Sequence, residues 1–381
     1  MSSTDSSLRE ATAAHLAAAA ERASQMTAFI GLDGFVDEIF HVVDKRESAE
    51  KYSRLPTISK FAERLAAAAG HSTNVELVSQ LTKLGGNGPI MANALASFGI
   101  KVTYLGTLGY PNLHPVFAEF ARRAEVHSLA EPGYTDALEF EDGKIMLGKH
   151  GSLKQVTWEN IQHRFGQERF AAHFGRAALV GFLNWTMLPN MSAVWSAVLK
   201  DLCPQLQGPR RKLFFDLADP EKRTAQDVTG ALELIGEFQK HFDVLLGLNE
   251  KESCEIAGHL GLPNRNHTPE GLLELCRDIH LRVRVETVII HPTAYALASG
   301  PDGAAMVQGP FTSRPKITTG AGDHFNSGFC LGKLLGLPTA QCLLAGVTTS
   351  GCYVRTAQSP TLGALAAMLR NWPADRAASG G

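Results

Sequence analysis

Short apolar runs recur along the chain, separated by longer stretches in which apolar residues return every three or four positions. The runs occupy 27–32 (TAFIGL), 75–78 (VELV), 101–106 (KVTYLG), 178–183 (ALVGFL), 212–216 (KLFFD), 243–248 (DVLLGL) and 287–291 (TVIIH). Runs of this length and β-rich composition predict strands, and the wider spacing predicts helices over 89–98, 115–124, 190–203, 272–281 and 325–335. Strands alternating with helices predict an α/β fold, a mostly parallel sheet with helices on both faces. In such a sheet, ligands bind outside the carboxyl ends of the strands. The polar residues that follow the runs are therefore the candidates for chemistry: Asp33 and Asp37, Asp216 and Asp219, Asn249 and Glu252, and His291.

Two segments stand outside the alternation. Residues 8–26 are Ala-rich and free of Gly and Pro, which predicts an added N-terminal helix in 1–26 ahead of one large domain, 27–381. Residues 131–150 carry Asp142-Gly143 between two short β-like runs, the signature of a hairpin. That hairpin is either a small sheet standing off the main layer as a lid or an ordinary surface turn.

Composition narrows the partners. Lys and Arg total 36 against 38 for Asp and Glu, so no basic excess points to nucleic acid. No apolar run nears the ~20 residues of a membrane span, and the polar, acidic N-terminus is unlike a secretory signal. The six cysteines form no C-x-x-C pair, which speaks for reduced thiols in a cytoplasmic protein and against a zinc ribbon or disulfide framework.

Two glycine turns carry the candidate chemistry. In Thr318-Thr319-Gly320-Ala321-Gly322-Asp323 a turn opens onto a helical pattern. Unpaired amides at a helix start cradle anions, but a carboxylate there repels a bound phosphate. Asp323 is therefore either a helix cap or a base that takes the proton of a hydroxyl attacking a phosphoryl group held by the turn. The second turn, Gly85-Gly86-Asn87-Gly88, precedes Pro89 and lets backbone approach a ligand, with Asn87 offering donor and acceptor to hydroxyls. The 320–322 turn is not a dinucleotide fingerprint, since Phe325 stands where the third glycine belongs, and no P-loop pattern occurs.

Together, TTGAGDHFNSGF and GGNGPIMANALASFG, in this order and separation, resemble the two signatures of the PfkB, or ribokinase-like, family of carbohydrate and nucleoside kinases. The resemblance covers about 27–370, with the N-terminal helix outside it. It implies a Rossmann-like three-layer sandwich with a small β-sheet lid from about 38–56 and 128–150, and transfer of the γ-phosphoryl of ATP to a hydroxymethyl group. It implies Asp323 as catalytic base and the amides of Gly320, Ala321 and Gly322 as anion hole. Asn249 and Glu252 match its N-x-x-E element near Mg2+. Asp37, with Asp33 as a rival, and Gly85, Gly86 and Asn87 match its sugar-binding positions. His291, Thr293 and Thr319 fall beside the nucleotide.

Three positions depart from the pattern. Ile317 stands where the family carries a cation-binding Asp, so potassium activation is not expected. His291-Pro292-Thr293 replaces a T-x-G turn beside the nucleotide, which leaves ADP open as donor. Ile90 replaces a sugar-binding Asn, which weakens an assignment to ribose. The stretch 216–223 (DLADPEKR) reads more readily as a solvated turn than as part of the site. Leu138, Phe140, Ile145 and Leu147 alternate in the hairpin and would serve a homodimer through the lid or cover the protein's own site. A sugar kinase is the leading reading. A nucleoside kinase, a catalytically silent sugar or nucleotide sensor, and a NAD-dependent oxidoreductase remain as alternatives, the last without its fingerprint.

Overall fold

The computed structural model describes residues 6–373. Its strands are β1 (Thr27–Gly31), β2 (Phe35–Arg46), β3 (Tyr52–Arg54), β4 (Leu77–Gly85), β5 (Lys101–Gly106), β6 (Glu125–Ser128), β7 (Gly133–Glu139), β8 (Lys144–Lys149), β9 (Leu179–Phe182), β10 (Lys212–Asp216), β11 (Asp243–Leu248), β12 (Thr287–Ile290), β13 (Tyr295–Gly300) and β14 (Gly303–Gln308). Nine form one sheet in the order β14-β13-β12-β11-β10-β9-β1-β5-β6. All pairings in it are parallel except β12 with β13 and β13 with β14.

The central strands are apolar throughout because both faces are covered. Along β10, Leu213 and Phe215 enter the core on one face while Phe214 enters the core on the other. Helices Gln167–Arg176, Met191–Asp201, Ala225–Phe238 and Pro269–Val283 cover the first face. Asn87–Ser97, Ala321–Leu334, Thr339–Thr356 and Leu362–Arg370 cover the second. The N-terminal pattern is two helices, Ser6–Ala17 and Ala20–Gln25, with Ala13 and Leu16 fully buried in that second core. Among the described residues no helix is long and apolar enough to cross a membrane. All six cysteines are free thiols.

The second sheet is the lid. β2 pairs antiparallel with β4 on one side and parallel with β7 on the other, and β8 closes the predicted hairpin on β7. It is larger than the sequence pattern suggests. β2 starts at Phe35, and of the 75–78 run only Leu77 and Val78 are strand, opening the lid strand β4 rather than joining the main sheet. Leu138, Phe140 and Ile145 pack with Phe61 of helix Ile58–Ala67 into a small core of the lid's own, while Leu147 is left exposed. The predicted helix over 115–124 is two short 3-10 turns, Pro115–Phe117 and Phe120–Arg122. Phe117 and Phe120, three residues apart, are both buried, the spacing a three-residue turn satisfies.

The two sheets are joined where backbone touches backbone. The chain leaves β1 and enters β2 through residues 32–34, and this connection lies against the end of β5. A Cβ at Gly34 would stand 2.2 Å from the Thr107 carbonyl oxygen, and one at Gly106 would stand 2.2 Å from the Asp33 carbonyl oxygen. Gly34→Ala is expected to lower the unfolding free energy by about 1–3 kcal/mol through this overpacking. Gly258→Ala, at an exposed helical position with nothing within 4 Å, is expected to be neutral or mildly stabilising. Denaturant titrations of both variants check the contrast, and equal behaviour would remove the close approach from the account.

Candidate active site

The carboxyl ends of β9, β10, β11 and β12 converge below the lid on a cavity of about 590 Å³. Asp37, Gly86, Asn87, Asn249, Glu252, His291, Thr319, Gly320, Gly322 and Asp323, all singled out from sequence, line it. Beside it, and sharing Asn249, His291 and Gly322, lies a more apolar slot of about 360 Å³ with Thr293, Pro310, Phe311 and Val347 in its walls. Arg355 fixes that slot by donating to the Pro310 and Phe311 carbonyls, both at 2.7 Å.

Asp33 and Gly85 line neither cavity. The Asp33 carboxylate is fully buried, accepting from the Gly88 amide at 2.9 Å, Asn184 Nδ2 at 2.8 Å and the Tyr104 hydroxyl at 3.3 Å. Burial raises its pKa to about 6 against these hydrogen bonds. It anchors the start of helix Asn87–Ser97 from below, enclosed beneath the cavity floor. Gly85 makes room for Asp37, since a Cβ there would meet the Asp37 carboxylate at 2.4 Å. Asp37 itself faces the cavity from β2, with Lys83 of β4 at 3.9 Å. Its pKa is raised by burial, opposed by Lys83 and by a hydrogen bond from Thr135.

The glycine turn at 318–323 is built at the start of helix Ala321–Leu334, where Gly320 adopts φ 91°, a left-handed conformation natural to glycine. The Ala321 amide donates to the Thr318 carbonyl at 3.1 Å, so it is engaged within the turn rather than open to a ligand. Among the described residues no backbone carbonyl receives the amides of Gly320, Gly322 or Asp323. Asp323 is buried, and its Oδ1 has no hydrogen-bond partner among the described residues. Burial raises its pKa well above the ordinary carboxylate range. The Asp33 charge adds to this, while a hydrogen bond with Asn87 and the Lys83 charge oppose it.

Asn249 and Glu252 hold each other in a capping box at the start of helix Glu250–His259. The Glu252 carboxylate accepts from the Asn249 amide at 2.9 Å and from the Asp219 amide at 3.0 Å. Both of its oxygens thus accept from backbone amides, which fixes the carboxylate in the cavity wall. Among the described residues no group of three or more His, Cys, Asp or Glu is arranged to hold a metal ion directly. Such a donor set fits magnesium that arrives on nucleotide phosphates and keeps most of its water.

The stretch 216–223 is more than a solvated turn. Asp216, Asp219 and Lys222 line the cavity, and Ala218 and Asp219 both take positive φ, 57° and 52°. Arg223 does face away, over the Trp185 ring. Other cavity residues carry no sequence signal of their own: Asn184, left-handed at φ 58° with its Oδ1 buried and unpartnered, and Thr135 and His150 from the lid. Lys83 was legible only once β4 is known to run antiparallel to β2, which sets it opposite Asp37.

Comparison with known proteins agrees with this geometry. The chain matches, over residues 4–372, the family described as prokaryotic ketohexokinase, with the N-terminal helices included. It is 32% identical over 343 residues to a ketohexokinase of Haloferax volcanii, covering 90% of each chain. Among solved structures, Arabidopsis thaliana ribokinase complexed with ribose and ATP shares the fold at a TM-score of 0.63 and 15% identity, over 91% of this chain and 98% of that one. A carbohydrate kinase from Agrobacterium tumefaciens does so at 0.62 and 17%, with the same coverage. The fold is that of the ribokinase-like kinases, and the chain belongs to the prokaryotic ketohexokinase family.

Proposed function

We propose that this ATP-dependent carbohydrate kinase phosphorylates a hydroxymethyl group of a ketohexose, with Asp323 as general base and the 320–323 turn as the cradle of the transferring phosphoryl group. One observation carries the reading. Asp323 presents a buried carboxylate oxygen without a partner at a helix start whose neighbouring amides are also open, between a polar cavity and an apolar slot. The family and the Haloferax relative supply the acceptor class.

In this reading the sugar lies under the lid, its hydroxyls meeting Asp37, Asn87, Thr135 and the unpartnered Asn184 Oδ1. The adenine enters the slot between Pro310, Phe311 and Val347, and the phosphates run past Asn249 and His291 to the turn. Burial lowers the His291 pKa to about 4, so its ring is neutral there and donates or accepts without adding charge. Asp323 Oδ1 takes the hydroxyl proton as that oxygen bonds to the γ-phosphorus. The bond to the β-γ bridging oxygen breaks, and its electron pair leaves with ADP. The amides of Gly320, Gly322 and Asp323 and the helix dipole stabilise charge on the phosphoryl oxygens. Magnesium, when bound with the nucleotide, would neutralise the phosphate chain beside the acidic wall of Asp216 and Asp219.

With ATP and magnesium, a panel of ketohexoses, aldohexoses, pentoses and nucleosides is expected to give its highest kcat/KM with a ketohexose, and preference for a nucleoside would overturn the acceptor. Asp323→Asn is expected to lower kcat by about 10²–10⁴-fold while ATP binding by calorimetry holds. Retained turnover would remove Asp323 as base.

Lys83 supplies a pH test. A raised Asp323 pKa keeps the base protonated where an ordinary carboxylate, near pH ~4, is already ionised, so the acid limb of kcat/KM lies above that range. Lys83 lowers the Asp323 pKa, so Lys83→Met moves the limb to still higher pH. A limb that stays in place would show that another group titrates.

A further inference from the structure

Behind the phosphate turn, on the side away from the cavity, lies a polar cluster with no part in the chemistry described so far. The Tyr353 hydroxyl donates to the Thr319 carbonyl at 2.9 Å. The ring of His324 stacks on that of Tyr353, with centroids 3.6 Å apart and planes 12° from parallel. His324 Nδ1 lies 2.7 Å from the Gly320 carbonyl and its Nε2 lies 2.9 Å from Ser359 Oγ. A carbonyl only accepts, so Nδ1 carries the proton and Nε2 accepts from the Ser359 hydroxyl. Ser359 Oγ in turn accepts from Asn93 Nδ2 at 3.1 Å. Asn93 belongs to the helix that begins with Asn87, so the cluster ties the acceptor turn to the phosphate turn.

Peptide geometry gives these bonds a consequence. The Thr319 carbonyl and the Gly320 amide belong to one planar trans unit, so they point in opposite directions. Holding that carbonyl outward aims the Gly320 amide toward the cavity. The next unit is held at both ends, its Gly320 carbonyl by the His324 amide at 3.1 Å and by His324 Nδ1, its Ala321 amide by Thr318. Glycine at φ 91° has the widest backbone freedom of any residue, so the turn needs such restraint to keep its open amides in place.

We propose that Tyr353 and His324 are positioning residues: by holding the Thr319 and Gly320 carbonyls from behind, they aim the amides of the phosphate turn at the transferring phosphoryl group. This rests on the reading of 320–323 as the phosphoryl cradle. Both groups keep the required form at neutral pH, since burial raises the Tyr353 pKa to about 12 and lowers that of His324 to about 4.

Tyr353→Phe keeps the ring and the stack and removes only the donor. It is expected to lower kcat by about tenfold or more, the loss typical of misaligned catalytic donors, with KM for the sugar within about twofold of the parent. Binding of ADP alone is expected to hold, while the added tightness gained with aluminium fluoride, which mimics the phosphoryl group in flight, is lost. His324→Asn, which keeps a donor at the δ position, is expected to retain most of kcat, whereas His324→Gln, which moves the donor outward, loses it. Parental kcat and parental aluminium fluoride binding in both Tyr353→Phe and His324→Gln would overturn the proposal. So would a loss that merely follows a fall in Tm. If Asp323→Asn is inactive while these variants are unaffected, the clamp fails and the base stands; if Asp323→Asn is itself active, the underlying reading fails.

Discussion

The active end of this sheet is governed by the cost of burying several carboxylates together. Asp33, Asp216, Glu252 and Asp323 are all buried, and charge on one raises the pKa of another. Burial alone disfavours each ionised form. The fold answers by giving three of them fixed donors: Gly88 and Asn184 for Asp33, Asn326 and Ala218 for Asp216, and Asn249 and Asp219 for Glu252. Asp323 alone retains an unpartnered buried oxygen among the four. The same scheme holds the strand ends together, because Gly88 and Asn184 reach Asp33, Asn326 reaches Asp216 and Asp219 reaches Glu252 from other segments of the chain. Local stability and the unpartnered oxygen of Asp323 thus have one origin.

The lid is placed by the same economy of space. Residues 32–34 carry the chain from the main sheet into the lid while Asp33 stays behind in the core. Glycines at 34 and 106 let the two crossing segments touch, and Gly85 lets β4 pass close over Asp37. Lys83, two residues earlier on that strand, then lies near both Asp37 and Asp323. A cation brought in by the lid therefore bears on both carboxylates together. A lid held at its hinge by backbone contact sets that cation's position more tightly than a long side-chain linkage would.

Most of the architecture was legible because its signals are local. Fully buried parallel strands read as continuous apolar runs, and each of β1, β5, β9, β10, β11 and β12 fell on such a run. The glycine turns were legible because positive φ and close approach demand glycine. What sequence alone did not reveal depends on pairing across the chain. β4 is half polar because it lies in a thin lid, so its pattern is weak, and its place beside β2 follows only from the three-dimensional pairing. The hairpin β13–β14 turns through Pro301 and Asp302, and its Asp302-Gly303 pair repeats the sequence signal of Asp142-Gly143 beyond the last strand of the parallel run.

The site shows the same division. Asp33 and Asp37 are four residues apart and chemically alike, so no local pattern separates them, yet one is enclosed by Gly88, Asn184 and Tyr104 and the other opens to the cavity. The asparagine and glutamate of Asn249–Glu252 have the spacing of a capping box, and the structure shows them bonded as one. That bonding meets the need of a helix start to satisfy its amides. It also explains why the loop at 218–219 can hold two residues at positive φ: the Asp219 amide is tied to Glu252 from the neighbouring strand end. Strain at that loop is therefore stabilised by Glu252, which also closes the capping box, and the acidic wall at Asp216 and Asp219 depends on it.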